Sequence, residues 1–379
     1  MRIGVFATGA ICRRDRLDHV SGHVQIPLMA ARMLCDAGHQ VTFMTTRMDP
    51  SADCMSGPLP AEVEVHEVQH ATLSWRPHRI HRLNAARQVW QLLAFTRDRR
   101  FDVVHFFGGS CTGWLLCALQ SLGMRRPAFY SPIKPPLPGR SWVREQVAKA
   151  AFRRVRGVLA TSEYVSQAWM PVVGVERVRT LYPGVTKEVS LPSGSASRDS
   201  VLFWRHGNHM NGVDLAMGAF RRVAPGYPQR RFVFAVICEA RYRDDLLRLK
   251  HETPNVDVYF YPYGDGVSLV RLLGEALVAV HPFRSLTMNP QMAILETLYA
   301  GVPVIATAIE SNAELVRDEV NGLLIAPADE TSLACAIERL LKDAALCDRL
   351  ARSARDLTQS RWNWDSFGQG LLRAYAELV

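Results

Sequence analysis

The sequence predicts an α/β protein made of two doubly wound, Rossmann-like domains, each a parallel sheet flanked by helices. Three observations carry this. At 379 residues the chain exceeds one ordinary core and suits two. Short apolar runs alternate with helix-period segments in both halves, the pattern of successive β-α-β units. Between the halves, the polar, glycine-bearing stretch 191–200 reads as a linker. The expected domains are 1–188 and 189–362.

Residues 2–7 form an apolar strand, and loop 8–22, which contains Gly22, leads into a helix over 23–37 stopped by Gly38. A second strand follows at 40–45. Strand, loop, helix, strand opens a parallel sheet, in which ligands gather at the strands' carboxyl ends. Residues 63–68 add a strand and 82–97 a helix. The run 101–109 passes from strand into a glycine turn and sets His105 near the strand's carboxyl end, where a histidine can meet a ligand or serve the core. After a strand at 128–131 come a proline-rich loop, 132–138, and a basic helix, 142–156. In the second half, 201–215 reads as strand, loop and helix and carries Arg205. Strands at 231–236, 256–261 and 277–281 and helices at 267–275 and 331–342 continue the pattern.

Composition excludes several classes. Hydrophobic residues make up 48% and charged residues 21%, the balance of a globular protein rather than a disordered or fibrous one. No apolar run approaches membrane-span length, and the one at the N-terminus is too short for a signal peptide. Eight cysteines are scattered without zinc spacing, so they read as thiols in a reducing cytoplasm, with no metal site. Net charge is +9, and 76–156 holds sixteen Lys/Arg against three acids. The first domain therefore carries a basic face, suited to an anionic or lipid-linked acceptor and to peripheral contact with the inner face of a membrane. Nucleic acid is not expected, since no binding motif accompanies the charge.

The most informative stretch is 286–307. Asn289 reads as an N-cap, Pro290 as the first helical residue and Gly301 as a left-handed stop before a buried strand over 302–306. A helix starting there turns its backbone N–H groups, from Asn289 through Gln291 to Met292, toward a phosphate. Glu296 lies seven residues after Asn289, close to two turns, so it stands on nearly the same side. One carboxylate so placed can accept from both hydroxyls of a ribose.

This stretch resembles the donor-binding segment of the family 4 glycosyltransferases (glycosyl transferases group 1), retaining enzymes of the GT-B fold. The family pattern places one Glu eight residues before a second and follows with Ala-Met-Ala-x-Gly-x-Pro-Val. Glu296 matches the second Glu, and Gly301, Pro303 and Val304 match the tail; Met288 stands in place of the first. The resemblance implies two doubly wound parallel-sheet domains facing a central cleft, the first binding acceptor and the second a nucleotide-diphosphate sugar. It implies that 363–379 returns to the first domain as a helix. By the same resemblance Arg205 is a cation for the donor diphosphate, Asn211 replaces a second one, and Tyr263 lies in the base-binding loop. Gly22 approaches the diphosphate, and His105 orients the donor, with Phe107 where the family has a further His.

The implied function is metal-independent, retaining transfer of a sugar to an acceptor hydroxyl, with no cofactor beyond the donor. Asn289, Gln291 or Arg284 would bind the sugar in place of the carboxylate that Met288 does not provide. The alternative, suggested by the departures at Met288, Asn211 and Phe107, is a degenerate transferase that binds a nucleotide or a partner without catalysis.

Overall fold

The computed structural model describes residues 1–7, 22–46, 59–68, 79–136, 149–150, 152–185, 198–261, 263–264 and 267–378. Most of loop 8–22, most of the basic helix expected at 142–156 and most of the linker at 191–200 lie outside the described residues. The chain divides into two compact units, Met1–Pro183 with Trp364–Val379, and Gly184–Asn363.

The first unit carries a seven-stranded sheet. Its strands are β1 (Arg2–Ala7), β2 (Gln40–Thr46), β3 (Glu64–Val68), β4 (Val103–Gly108), β5 (Ala128–Pro132), β6 (Gly157–Ala160) and β7 (Val178–Thr180). They lie in the order β3-β2-β1-β4-β5-β6-β7, and every pairing is parallel. That is the doubly wound order, which reverses direction between β1 and β4. Helices α1 (Gly22–Asp36), α2 (Arg79–Asp98), α3 (Ser110–Ser121) and α4 (Glu163–Val173) cover the strands. Helices α3 and α4 were not expected from the sequence pattern. One core joins Leu92 and Leu93 of α2, Leu115 and Leu119 of α3 and Trp169 of α4 to Phe106 and Tyr130 of the sheet.

The second unit repeats the plan with β8 (Ser200–Gly207), β9 (Arg231–Cys238), β10 (Val256–Phe260), β11 (Ala276–His281), β12 (Val304–Thr307) and β13 (Gly322–Ile325). The parallel order β10-β9-β8-β11-β12-β13 puts the reversal between β8 and β11. Both faces of β8 are buried: Val201 and Phe203 enter one core, while Leu202 and Trp204 enter the other, as a strand covered by helices on both sides requires. The helices are α5 (Val213–Val223), α6 (Ala240–Glu252), α7 (Leu269–Glu275), α8 (Met292–Tyr299), α9 (Asn312–Leu315), α10 (Glu330–Lys342) and α11 (Ala344–Arg361). The last helix, α12 (Trp364–Leu378), packs within the first unit, burying Tyr375 completely and pairing Glu377 with Arg179 at 3.6 Å.

One element departs from its expected start. The helix expected from Asn289 begins at Met292, with Gln291 as N-cap and no side-chain cap. Asn289 is fully buried and committed elsewhere: its Oδ1 accepts from the Ser311 amide (3.2 Å) and hydroxyl (2.6 Å), and its Nδ2 donates to Glu310 at 2.8 Å. A side chain satisfied by a neighbouring loop has no acceptor left to aim along the helix axis. Asn289 and Pro290 therefore precede the helix. Its stop is where the sequence places it, with Gly301 left-handed at φ 69°. Among the described residues no helix is long and apolar enough to cross a membrane.

Candidate active site

Ligands of doubly wound sheets bind beyond the strands' carboxyl ends at the reversal point, which in the second unit means the ends of β8 and β11. Arg205 stands at the end of β8. Its Nη1 lies 3.8 Å from Oε2 of Glu296 on α8, and both side chains remain partly open, 20% and 14% exposed. The Arg205 backbone has φ 105°, a conformation that residues with a Cβ rarely adopt. A strained residue carrying a charge at a reversal point is the profile of a functional side chain.

The supports around this pair lie deeper. Trp204 Nε1 donates to Thr297 Oγ1 at 3.0 Å, and that hydroxyl donates to the Ala293 carbonyl at 2.7 Å, so β8 is locked to α8. His281, at the end of β11, is buried, 3.4 Å from the same hydroxyl and stacked on Phe283. Burial, then Arg205, pushes its pKa down to about 3, so it is neutral at physiological pH. Burial raises the Glu296 pKa, and Arg205 works against that rise. Burial pushes Tyr263 up to about 12, again opposed by Arg205. Tyr263 packs against the core cluster that holds Trp204, and its hydroxyl donates to the Ala235 carbonyl at 3.4 Å.

The loops preceding α5 and α8 are tied together. Gly212 is left-handed at φ 72°, and a Cβ there would lie 2.0 Å from the Pro282 carbonyl oxygen, so only glycine permits this approach. Arg284 binds Asp214 bidentately at 2.6 and 2.7 Å and also donates to the His209 carbonyl. Its guanidinium thereby holds the two loops together. Asn211 is likewise internal: its Nδ2 donates to the His206 carbonyl at 2.9 Å and its amide to Asn208. Gln291 donates to the Met288 carbonyl, and Met288 is buried.

Two further residues complete the edge. Glu310 is left-handed at φ 44°, and its carboxylate accepts from the Leu286 amide at 3.3 Å and from Asn289. Ser311 anchors Asn289. No local pattern in the sequence marks either one. The arrangement as a whole combines one guanidinium, one part-buried carboxylate and an uncapped helix start, which suits a dianion attached to a hydroxylated group.

His105 behaves differently. It is fully buried; its Nδ1 lies 2.7 Å from the Tyr375 hydroxyl and its Nε2 lies 2.9 Å from Ser131 Oγ. Because the Ser131 hydroxyl donates to the Leu159 carbonyl at 2.7 Å, Ser131 accepts from His105 Nε2–H, and Tyr375 donates to Nδ1. Burial drives the His105 pKa down to about 3, in keeping with a neutral ring. Both ring nitrogens are occupied, and the residue ties α12 to β4, β5 and β6. Gly22 opens α1, and the loop before it lies outside the described residues.

Fold and site together define a GT-B glycosyltransferase scaffold. Residues 20–189 match the model described as Glycosyltransferase Family 4, and 199–343 match Glycosyl transferases group 1; the chain belongs to the family 4 type of GT-B glycosyltransferases. A D-inositol 3-phosphate glycosyltransferase of Salinispora arenicola is 35% identical over 123 residues, which are 32% of this chain and 27% of that protein. The chain spans less than half the length of such curated relatives. Sucrose-phosphate synthase from Thermosynechococcus elongatus superposes with TM-score 0.77 at 18% identity, covering 100% of this chain and 98% of that one. Anabaena HepE in complex with UDP gives 0.75 at 17%, covering 100% of both.

Proposed function

We propose that the protein transfers a sugar from a nucleoside-diphosphate sugar to an acceptor hydroxyl, with the donor held by the second unit. The observation that carries this reading is the Arg205–Glu296 pair, part-exposed at the β8/β11 reversal beside the uncapped start of α8. In it the donor displaces the ion pair. Glu296 turns to the ribose hydroxyls, Arg205 and the N–H groups around Met292 take the diphosphate, and Tyr263 flanks the base. HepE, a protein of the same fold, is solved in complex with UDP, which supports a nucleotide ligand.

The sugar then extends beyond the start of α8, toward 286–291. Asn289, Arg284 and Gln291 are engaged internally there, whereas each Glu310 oxygen receives one hydrogen bond and keeps a further lone pair. Glu310 is the carboxylate that meets sugar hydroxyls in this reading, and Met288 contributes apolar surface.

Transfer proceeds with retention. The bond from the anomeric carbon to the phosphate oxygen breaks, the acceptor oxygen bonds to the same face of that carbon, and its proton passes to the departing phosphate oxygen. Arg205 and the helix start stabilise the charge that grows on the leaving diphosphate, so no divalent cation is needed. The first unit supplies the acceptor site.

Calorimetric titration with nucleoside diphosphates, followed by a nucleotide-sugar panel scored for transfer and hydrolysis, tests the reading. Binding that weakens in both Arg205→Ala and Glu296→Ala, with turnover on at least one donor, is expected. Neither binding nor turnover by the wild-type protein would overturn it and leave the non-catalytic alternative. Retention is checked by the anomeric configuration of the product, and metal independence by turnover in a chelator.

A further inference from the structure

Helices α2 and α3 lie side by side on one face of the first unit's sheet, burying Leu92, Leu93, Leu115, Leu116 and Leu119 beneath them. What they leave outside is not the usual polar surface. Trp90 is 66% exposed, Trp114 46% and Leu122, just past the end of α3, 54%. On α2 the exposed residues Arg87, Trp90, Ala94 and Arg97 follow one another at helical spacing and form a single stripe. On α3 and the residue after it, Trp114, the half-buried Ala118 and Leu122 form a second.

The two stripes are neighbours. Both helices join parallel strands of one sheet, so they run in the same direction, and Arg97 Nη2 reaches to 3.5 Å of where a Cβ on Gly123 would sit. Arg97 therefore meets the chain beside Leu122. Trp90 lies about two turns before Arg97 on α2, and Trp114 about two turns before Leu122 on α3. Arg87 lies one turn above Trp90, and exposed Arg125 follows the turn after Leu122. Asp98, at the last position of α2, is the only acidic residue in either helix.

We propose that this face docks the protein on an anionic lipid bilayer, with Trp90, Trp114 and Leu122 entering the headgroup region and Arg87, Arg97 and Arg125 meeting lipid phosphates. The composition fits a bilayer better than a folded protein. Exposed indole rings suit the interfacial zone, where an apolar body and an N–H donor are both accommodated. The arginines add attraction to negative headgroups. A bilayer requires nothing more specific, and these stripes offer few neutral polar side chains that would read a protein surface. The docking face is independent of the donor site, so it can hold or fail separately from the proposed activity.

The test is co-sedimentation of the full chain with vesicles of phosphatidylcholine alone or mixed with phosphatidylglycerol, at low and physiological salt. The expected result is binding to the anionic vesicles only, weakening as salt rises, with a blue shift of tryptophan emission. Trp90→Ser with Trp114→Ser should reduce binding at least tenfold and remove most of the shift. Arg87→Glu with Arg97→Glu should reduce binding comparably, and both variants should keep the wild-type melting temperature, since the replaced side chains are exposed. Three outcomes would overturn the proposal. One is no binding to anionic vesicles at low salt. Another is full binding by the double tryptophan variant, which would indicate charge alone. The third is concentration-dependent dimerisation that disappears in the same variants, which would assign the face to a second copy of the chain.

Discussion

The two units share a strand order, and polar side chains on the strands that flank its reversal point meet two fates. In the first unit the polar side chain of β4, His105, is sealed: fully buried, neutral and bonded through both nitrogens to Tyr375 and Ser131. In the second, Arg205 at the end of β8 is held on a strained backbone and left partly open beside Glu296. The same topology thus makes a structural tie in one place and a candidate binding group in the other. Position at a reversal point nominates a residue; its solvent access and the partners it already has decide its role.

The largest expected effect comes from Arg205. Arg205→Ala should lower kcat/KM for sugar transfer by about 10²–10³, the loss typical of removing a preorganised donor to developing charge. Arg205→Gly should lose as much activity while raising stability by about 1 kcal/mol, because glycine adopts φ 105° without strain. Full activity in either variant would place the second unit's residue in the same structural class as His105.

A smaller effect belongs to Glu310. Glu310→Gln should weaken binding of a nucleotide sugar about tenfold while leaving the corresponding nucleoside diphosphate unchanged, a difference of about 1.4 kcal/mol. Equal loss for both ligands would make Glu310 a loop anchor only.

The first unit answers through stability. His105 has a folded-state pKa of about 3, below the ordinary 6.5, so between those values the unfolded chain binds the extra proton. Stability is fully present above pH 6.5 and falls as pH drops through the window, by about 1.4 kcal/mol per pH unit for one such group. His281 in the second unit has the same sign and the same window. Denaturant titrations from pH 7 to 4 should show a slope that His105→Leu reduces by one proton's worth. Tyr375→Phe should cost about 1 kcal/mol of stability and leave nucleotide affinity unchanged. If it changed nucleotide affinity instead, the sealed reading of His105 would be wrong.

Much of the fold was legible because alternating apolar runs and glycine stops are local signals; the Gly38 and Gly301 helix ends and the β1, β2, β8, β9 and β11 strands lie where local pattern puts them. The start of α8 was not, because Asn289 has a cap residue's chemistry but spends it on Ser311 and Glu310, more than twenty residues away. The end of α10 at Lys342 lies where the sequence puts it, but α11 directly after it was not expected. No Gly or Pro interrupts 330–361, and the boundary is set by the Asp343 side chain, which accepts from the Leu346 amide at 2.8 Å. At the site, Arg205 and Glu296 were visible as a motif. The engagement of Arg284 by Asp214 and the left-handed Glu310 depend on long-range loop packing that no spacing encodes.

Whether Glu296 holds ribose while Arg205 holds the diphosphate is decided by titrating a nucleoside diphosphate and its 2′,3′-dideoxy analogue into wild-type protein and Glu296→Ala. Loss of a charge-assisted pair of hydrogen bonds should weaken the ribonucleotide by about 10–100-fold. The dideoxy analogue should bind both proteins about equally, since it offers Glu296 nothing to accept from. A Glu296→Ala effect of the same size on both ligands would mean that Glu296 does not hold the ribose, and so would no effect on either.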